Sequence, residues 1–419
     1  MNCPVCDDSR FAPFRAVRGR ASTRCQGCGC VALDALPTQT DSESLPDAAL
    51  RDTTRNMDAL KRRGFRGGSL LDLATASACL APNAYDAAIL LHHLQAQPAP
   101  GELLRRVRVA LRPGAPLLLT VPRLTEWRAG DRWFFDETTI QLLLLRHGFH
   151  EVLVRKSGGS GMLVTAVRHE PPARPRCSII VAAFNESPTF PVLMDALLKK
   201  EIPGVDREIV VIESNSTDGT RELAIQYRGR PEVKLVLQDR PRGKGHAVRE
   251  GLRHATGDIV LIQDADLEYD LDDYGALLAP ILSHRALLVL GTRHAGDWKI
   301  RHFARQKILS AGLNLGHAFF TGLINILFRQ NMTDPFTMFK VFRRDCLFGL
   351  EFQCNRFDFD HELVIKLVRK GYRPVEVPVN YRSRSFREGK KVRLFRDPLT
   401  WIWVDLKLRF ERVLPKDLR

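Results

Sequence analysis

No apolar leader opens this chain: MNCPVCDDSR carries no hydrophobic core. A secretory signal peptide is therefore not expected, and a reducing cytoplasm is the expected compartment. The nine cysteines form no disulfide framework, because five crowd into the first 30 residues while Cys79, Cys177, Cys346 and Cys354 are scattered. Acidic residues are scarce, 48 against 63 Lys and Arg, which leaves a net charge of +15. That excess suits an anionic partner without choosing among nucleic acid, an anionic membrane and a phosphorylated small molecule. Long apolar runs are nearly absent too. Only Ile308 to Phe328 lacks formal charge over a length able to cross a bilayer. Its Asn314, His317, Asn325 and three glycines point instead to a buried or membrane-grazing helix. A hydrophobic fraction of 44% and a charged fraction of 26% over 419 residues exclude disorder and collagen-like repeats. They predict two or three globular domains.

Residues 1–37 hold C-P-V-C, an 18-residue spacer and C-Q-G-C. Cys3, Cys6, Cys25 and Cys28 have the spacing of a four-thiolate zinc site, with Cys30 an alternative to Cys28. Four thiolates close a tetrahedron and leave no open position, so the expected Zn²⁺ is structural.

Residues 38–170 show an α/β pattern. YDAAILLHHL reads as a strand running into a helix start, ELLRRVRVAL as a helix, RPGAPLLLTVP as a turn and buried strand. ETTIQLLLLRHGF reads as a helix closed at Gly148, and EVLVRK with GMLVTAVRH as a hairpin. Together with W-F-F-D-E-T, these pieces resemble the C-terminal half of a class I, S-adenosylmethionine-dependent methyltransferase. The departure is Leu70 to Leu80, LLDLATASACL, which has no glycine where that family cradles its cofactor. Without glycine the backbone cannot approach a cofactor closely. A truncated, Rossmann-like scaffold is expected, with no S-adenosylmethionine. Residues 171–176, within the Pro- and Arg-rich RHEPPARPR, read as an extended linker.

From Cys177 strands and helices alternate, which predicts a mainly parallel sheet with helices on both faces. Ligands of such sheets bind at the carboxyl ends of strands. Asn185-Glu186, Glu213 to Asp218 and Asp264 to Glu268 all fall at such ends. In Q-D-A-D-L-E, alternate residues of an extended chain would aim Asp264 and Asp266 to one side. Two close carboxylates call for a cation between them, and an all-oxygen set suits Mg²⁺ or Mn²⁺ with substrate phosphates. Glu268 is a third candidate oxygen donor.

Residues 177–395 resemble family 2 glycosyltransferases, in the polyprenyl-phosphate branch that includes dolichol-phosphate mannose synthases. The matching pieces, in order, are S-I-I-V-A-A-F-N-E, S-T-D-G-T, R-G-K-G-H-A-V-R-E-G-L, D-A-D-L-E-Y, T-D-P-F-T-M-F-K, F-D-F-D-H-E-L and V-E-V-P-V-N-Y-R-S-R-S-F-R-E-G-K-K-V. The resemblance implies a GT-A fold, a nucleotide-diphosphate sugar donor and inversion at the anomeric carbon. It places Phe184, Asn185, Glu186, Glu213, Ser214 and Lys244 at the donor. It puts the metal on Asp264 and Asp266, with Glu268 nearby and Asp266 counted as catalytic. Asn215 stands where the family has glycine, and asparagine tolerates left-handed backbone best among the alternatives. Met338 also stands at a family glycine. Arg382, Arg384, Lys390 and Lys391 would close over the phosphates; a solvated basic face is the other reading. Arg293, Arg301, Arg305, Asn314 and Lys340 would serve a phosphorylated acceptor, which is already nucleophilic. A sugar hydroxyl would need a general base, for which Asp360 is the first candidate and Glu362 the second.

Residues 381–419 carry 12 basic and 5 acidic residues. From 396 onward, PLTWIWVDLKLRF sets tryptophans beside Lys407 and Arg409, as at a bilayer interface. A helix packed on the protein's own core is the alternative. The expected activity is thus an inverting, metal-dependent glycosyltransferase acting on a polyprenyl-phosphate or related glycan or lipid acceptor. It would be cytoplasmic or peripheral on the inner membrane face, with no nucleic-acid partner. A bifunctional protein retaining methyltransferase activity and a nucleic-acid-binding zinc protein are the rivals.

Overall fold

The computed structural model describes residues 2–14, 21–28, 30–33, 53–73, 80–122, 131–157, 161–170, 172–294, 300, 307–383 and 396–414. Two compact units divide the chain near Pro171, at the Pro- and Arg-rich linker.

The first unit opens with three short strands, β1 (Phe11–Pro13), β2 (Ser22–Cys25) and β3 (Val31–Leu33). Helix α1 (Thr53–Arg62), β4 (Leu70–Asp72), β5 (Ala87–Leu91), α2 (Pro100–Ala110) and β6 (Pro116–Pro122) follow. Then come β7 (Trp133–Phe134), α3 (Glu137–Arg146), β8 (Phe149–Ser157) and β9 (Gly161–Arg168). The ribbon is not a separate sheet: β7 pairs antiparallel with β3, so residues 133–134 complete a sheet ordered β1-β2-β3-β7. A second sheet runs β4-β5-β6-β9-β8, three parallel strands followed by an antiparallel hairpin. The expected hairpin is therefore present. Helix α3 starts in a reciprocal cap, Asp136 accepting from Thr139 N and Thr139 from Asp136 N. Gly148 follows it with φ +78°.

The second unit contains β10 (Arg176–Ala183), α4 (Phe190–Lys199), β11 (Asp206–Glu213), α5 (Thr220–Ile225), β12 (Val233–Leu237) and α6 (Lys244–His254). It continues with β13 (Ile259–Asp264), α7 (Tyr274–Leu282), β14 (Leu288–Thr292), α8 (Lys307–Phe328), β15 (Lys340–Arg343), α9 (Phe359–Arg369), β16 (Pro374–Pro378) and α10 (Arg396–Phe410). Its seven strands are ordered β12-β11-β10-β13-β15-β14-β16. All are parallel except β15, which runs antiparallel between β13 and β14. The sheet is mainly parallel, as expected, with helices packed on it and β15 its one antiparallel member. β10 and β13 are nearly continuous apolar runs, buried as interior parallel strands must be. Strand order reverses at β10, with β11 on one side and β13 on the other. That crevice is where open α/β sheets bind ligands.

Candidate functional site

Register brings three predicted acids and amides to one edge. Ala182 of β10 pairs with Asp264, and Ala183 with Glu213. Each strand then turns through one left-handed, non-glycine residue: Asn185 (φ +50°), Asn215 (φ +58°) and Leu267 (φ +57°). Asparagine bears this geometry cheaply, whereas a bulky leucine is strained there. Asn215 thus adopts the backbone expected of it.

The loops are stitched together by side chains. Asn185 N donates to Ser216 Oγ (3.0 Å), and Thr217 N donates to Asn185 Oδ1 (2.9 Å). Glu186 N donates to Thr220 Oγ1 (2.9 Å). Half-buried Phe184 enters this turn directly after β10. Glu213 is fully enclosed: its carboxylate accepts from Ser216 N (2.7 Å), Asn215 N (3.2 Å) and Arg221 Nη1 (2.9 Å). Its observed task is to shape the loop, so the donor role expected of it is not what its oxygens do here. The sequence does not mark Arg221 as the partner, since it lies eight residues past Glu213, across a loop and in the first turn of α5. Ser214 Oγ is bonded to Gln238 (3.1 Å).

Asp264 and Asp266 do not come together by extended alternation, because the chain turns directly after Asp264. Thr189 Oγ1 pins the turn at Ala265 O (2.7 Å), and Glu268 N caps Asp266 Oδ1 (3.2 Å). Glu268 Oε2 accepts from the Tyr381 hydroxyl (2.9 Å), and Arg382 N donates to Glu268 O (2.8 Å). Exposed Arg382 therefore borders the acidic turn, while Arg384, Lys390 and Lys391 lie outside the described residues. Asp264, Asp266 and Glu268 are partly accessible oxygen donors within five residues of chain. All-oxygen donors are the kind Mg²⁺ or Mn²⁺ prefers, but among the described residues only the four cysteines converge closely enough to hold a metal ion, so the three acids are not gathered into a preformed site.

Lys244 reaches the same turn. Gly243 (φ +102°) and Gly245 make this possible, since a Cβ on either would meet Asn355 O or Phe359 Cβ at 2.4 Å. The α6 terminus can therefore pack against residues 355–359, and Lys244 Nζ lies 2.7 Å from Asp264 Oδ1. Burial pushes its pKa down, but Asp264, Asp360 and Asp266 more than reverse this and hold it above the usual lysine value. Lys340, fully buried, bonds Asp360 Oδ1 (2.8 Å) and Thr337 O. Burial dominates there and lowers its pKa.

Several expected roles change. Asp360 is the counter-ion of the buried Lys340 ammonium (2.8 Å), so one of its oxygens is already committed to a fixed partner. Glu362 is enclosed and accepts from Gln353 N, Cys354 N and Lys366 Nζ. Arg293 is committed to fully buried Asp334 through Nε (2.7 Å) and Nη2 (2.8 Å), with His317 Nε2 on the same carboxylate (3.0 Å). That bidentate pair removes Arg293 from the acceptor set. Asn314 lies on the inward side of α8, buried, and Arg301 and Arg305 fall outside the described residues.

Residues 178–348 match the family model for glycosyl transferase family 2. That stretch of the second unit is thus similar to a family 2 glycosyltransferase domain. Over 216 residues it is 26% identical to a dolichol-phosphate mannosyltransferase of Pyrococcus furiosus, covering 51% of this chain and 59% of that one. Over 226 residues it is 29% identical to a dolichyl-phosphate beta-glucosyltransferase of Trichomonas vaginalis, covering 50% and 65%. The match thus spans about 60% of the length of these relatives. A glucosyl-3-phosphoglycerate synthase of Mycobacterium tuberculosis, solved with Mn²⁺ and UDP, aligns at 23% identity and a TM-score of 0.39, over 56% of this chain and 80% of that one.

In the first unit, the Sγ atoms of Cys3, Cys6, Cys25 and Cys28 all lie within 4.8 Å of one another. Cys3–Cys28 and Cys6–Cys25 are each 3.5 Å apart. Tetrahedral zinc with bonds of about 2.3 Å would set sulfurs about 3.8 Å apart. A Cβ at Gly27 would meet Cys6 Sγ at 2.9 Å, so the knuckle needs glycine there. Cys30 is buried, donates to Phe134 O (3.6 Å) and also interacts with Cys3, but it is not one of the four mutually close sulfurs.

Proposed function

We propose that the second unit is an inverting, metal-dependent glycosyltransferase using a nucleotide-diphosphate sugar. The observation that carries this reading is the acidic turn Asp264–Glu268 at the carboxyl end of β13, inside the family 2 match, with Lys244 against it. Asp264 and Asp266 would hold the cation and Glu268 would back them. When bound, a divalent ion neutralises charge on the departing nucleoside diphosphate. Lys244 supplies a preorganised positive charge beside that position. Phe184, Asn185 and Ser214 would frame the nucleoside at the crevice. Because Asp360 and Glu362 are both engaged by buried lysines, an acceptor that needs no base fits best. A polyprenyl phosphate, ionised at neutral pH, is such an acceptor, and the curated relatives' names point the same way.

A membrane surface follows from two helices that face the wrong way for water. Helix α8 buries Ser310, Asn314 and His317 and exposes Leu315, Phe319 and Ile326. Helix α10 buries Asp405 and exposes Leu399, Trp403, Leu406 and Phe410, with Lys407 and Arg409 alongside. Trp401 and Phe320 join them edge to face, 5.2 Å apart. The inward faces are mixed, since Phe320, Ile324, Val404 and Leu408 are buried too, but the exposed apolar side chains beside basic charge fit an interfacial helix pair on an anionic leaflet. Helix α8 is, among the described residues, the one helix long and apolar enough to cross a bilayer; its buried polar face argues for lying along the surface.

For the first unit the reading is a scaffold of methyltransferase-like order whose ribbon is closed by structural Zn²⁺ on Cys3, Cys6, Cys25 and Cys28. The decisive experiment for the enzyme is calorimetry of UDP and GDP, each with and without Mn²⁺, on wild type and Asp266→Ala. One nucleotide should bind in a metal-dependent way and lose that dependence in the variant. Equal binding by a folded Asp266→Ala protein would remove the metal role from this turn. Binding of neither nucleotide would remove the donor assignment for both.

A further inference from the structure

One ammonium already spans the carboxylate that the metal would need. Lys244 Nζ lies 2.7 Å from Oδ1 and 2.8 Å from Oδ2 of Asp264. On its other side stand Met338 Sδ at 2.9 Å and the Phe357 ring, whose centroid is 5.7 Å away. Met338 is buried and its own N–H is held by the Tyr269 hydroxyl (2.9 Å). The root of Lys244 is equally fixed, because it is the first residue of α6 and its flanking glycines are wedged against residues 355–359. The side chain can swing, but its backbone cannot retreat.

We propose that Lys244 is a built-in placeholder cation on Asp264, so that a divalent ion enters the site only together with a nucleoside diphosphate. This rests on the donor-site reading above. A metal bound to Asp264 at about 2.0–2.2 Å would have to share or displace the contacts that Lys244 now makes with both of its oxygens. A bare dication arriving alone would face the ammonium across a few ångströms of partly buried site, where like charges repel strongly. A diphosphate changes the balance by giving Lys244 a second anion as it leaves Asp264. Each ligand then favours the other, and Lys244 carries the coupling. Met338 confines the ammonium to this choice, since its thioether is a weak acceptor that cannot replace a carboxylate.

The readout is free Mn²⁺ followed by electron paramagnetic resonance, with no sugar transfer involved. Wild type should bind Mn²⁺ at least tenfold more weakly alone than in the presence of whichever of UDP or GDP it binds. Lys244→Met should raise nucleotide-free Mn²⁺ affinity at least tenfold, while Lys244→Arg, which keeps the charge, should leave it near wild type. A folded Lys244→Met protein that binds Mn²⁺ no tighter than wild type overturns the proposal. Should that variant not fold, Lys244→Gln takes its place, and wild type alone still decides: equal Mn²⁺ affinity with and without bound nucleotide also overturns it. The variant comparison uses no nucleotide, so it is separate from a failure of UDP and GDP to bind, which would strike the donor assignment instead.

Discussion

Glu208 shows how much of this second unit hangs on single buried acids. Its carboxylate accepts from Thr256 N (2.6 Å), Gly257 N (3.1 Å), Thr256 Oγ1 (2.8 Å) and Ser178 Oγ (2.5 Å), and Lys234 Nζ is 2.8 Å away. Burial alone would raise its pKa, yet Lys234 and these hydrogen bonds bring it down to about 2. A pKa depressed on folding stabilises the fold fully above the unfolded value and loses that contribution as pH falls through the folded one. Stability should therefore decline between about pH 4.5 and pH 2, by roughly 3 kcal/mol from this group. Denaturant titrations should show the decline in wild type and a shallower one in Glu208→Gln; identical pH profiles would refute the assignment. The same scale explains what the sequence disclosed and what it hid. Asn215 at a glycine position announced its left-handed backbone, because only local sterics decide that. Arg293 looked like a phosphate ligand, because nothing local shows that Asp334, 41 residues on, claims both its nitrogens. Asp360 misled for the same reason: its acidity was visible and its partner, Lys340, was not.

Elements were the most legible level. Apolar runs gave β10, β11 and β13, and the positions of their carboxyl ends located the crevice. The antiparallel β15 was not visible, since direction depends on a partner strand and leaves little trace in composition. The helix pair α8 and α10 was half legible. Length, missing charge and tryptophan marked them, but only burial shows that their polar residues face inward. That orientation makes a prediction at this scale. The full chain should co-sediment with anionic vesicles and bind neutral ones less. Replacing Trp403 and Phe410 together by alanine should weaken vesicle binding at least tenfold, since each aromatic contributes about 1.5–3 kcal/mol when fully buried. Unchanged co-sedimentation of the double variant would return α10 to an ordinary surface helix.

At the scale of the whole molecule, two compact units should melt as two cooperative events. If Zn²⁺ occupies the four-cysteine group as proposed, a strong chelator should lower the first unit's transition, because metal binding there is part of the folding free energy. Nucleotide with Mn²⁺ should raise the second unit's transition alone. Scanning calorimetry checks both, and a single transition shifted by either treatment would show the units to be thermodynamically one. The division near Pro171 was readable from proline and arginine. The sharing of one sheet by residues 31–33 and 133–134 was not, because a two-residue strand has no pattern of its own.

The one antiparallel strand of the seven-stranded sheet also sets a timetable. β13 ends at Asp264, but the strand that covers its outer side begins only at Lys340. On a ribosome adding about 5–20 residues per second, that edge stays open for roughly 4–15 s. Throughout that interval the acidic turn exists without Lys340 and Asp360, and a bare row of amides faces solvent. An unpaired edge of this kind invites pairing with another chain, so the nascent protein needs a chaperone most while the second half of its own site is still being made.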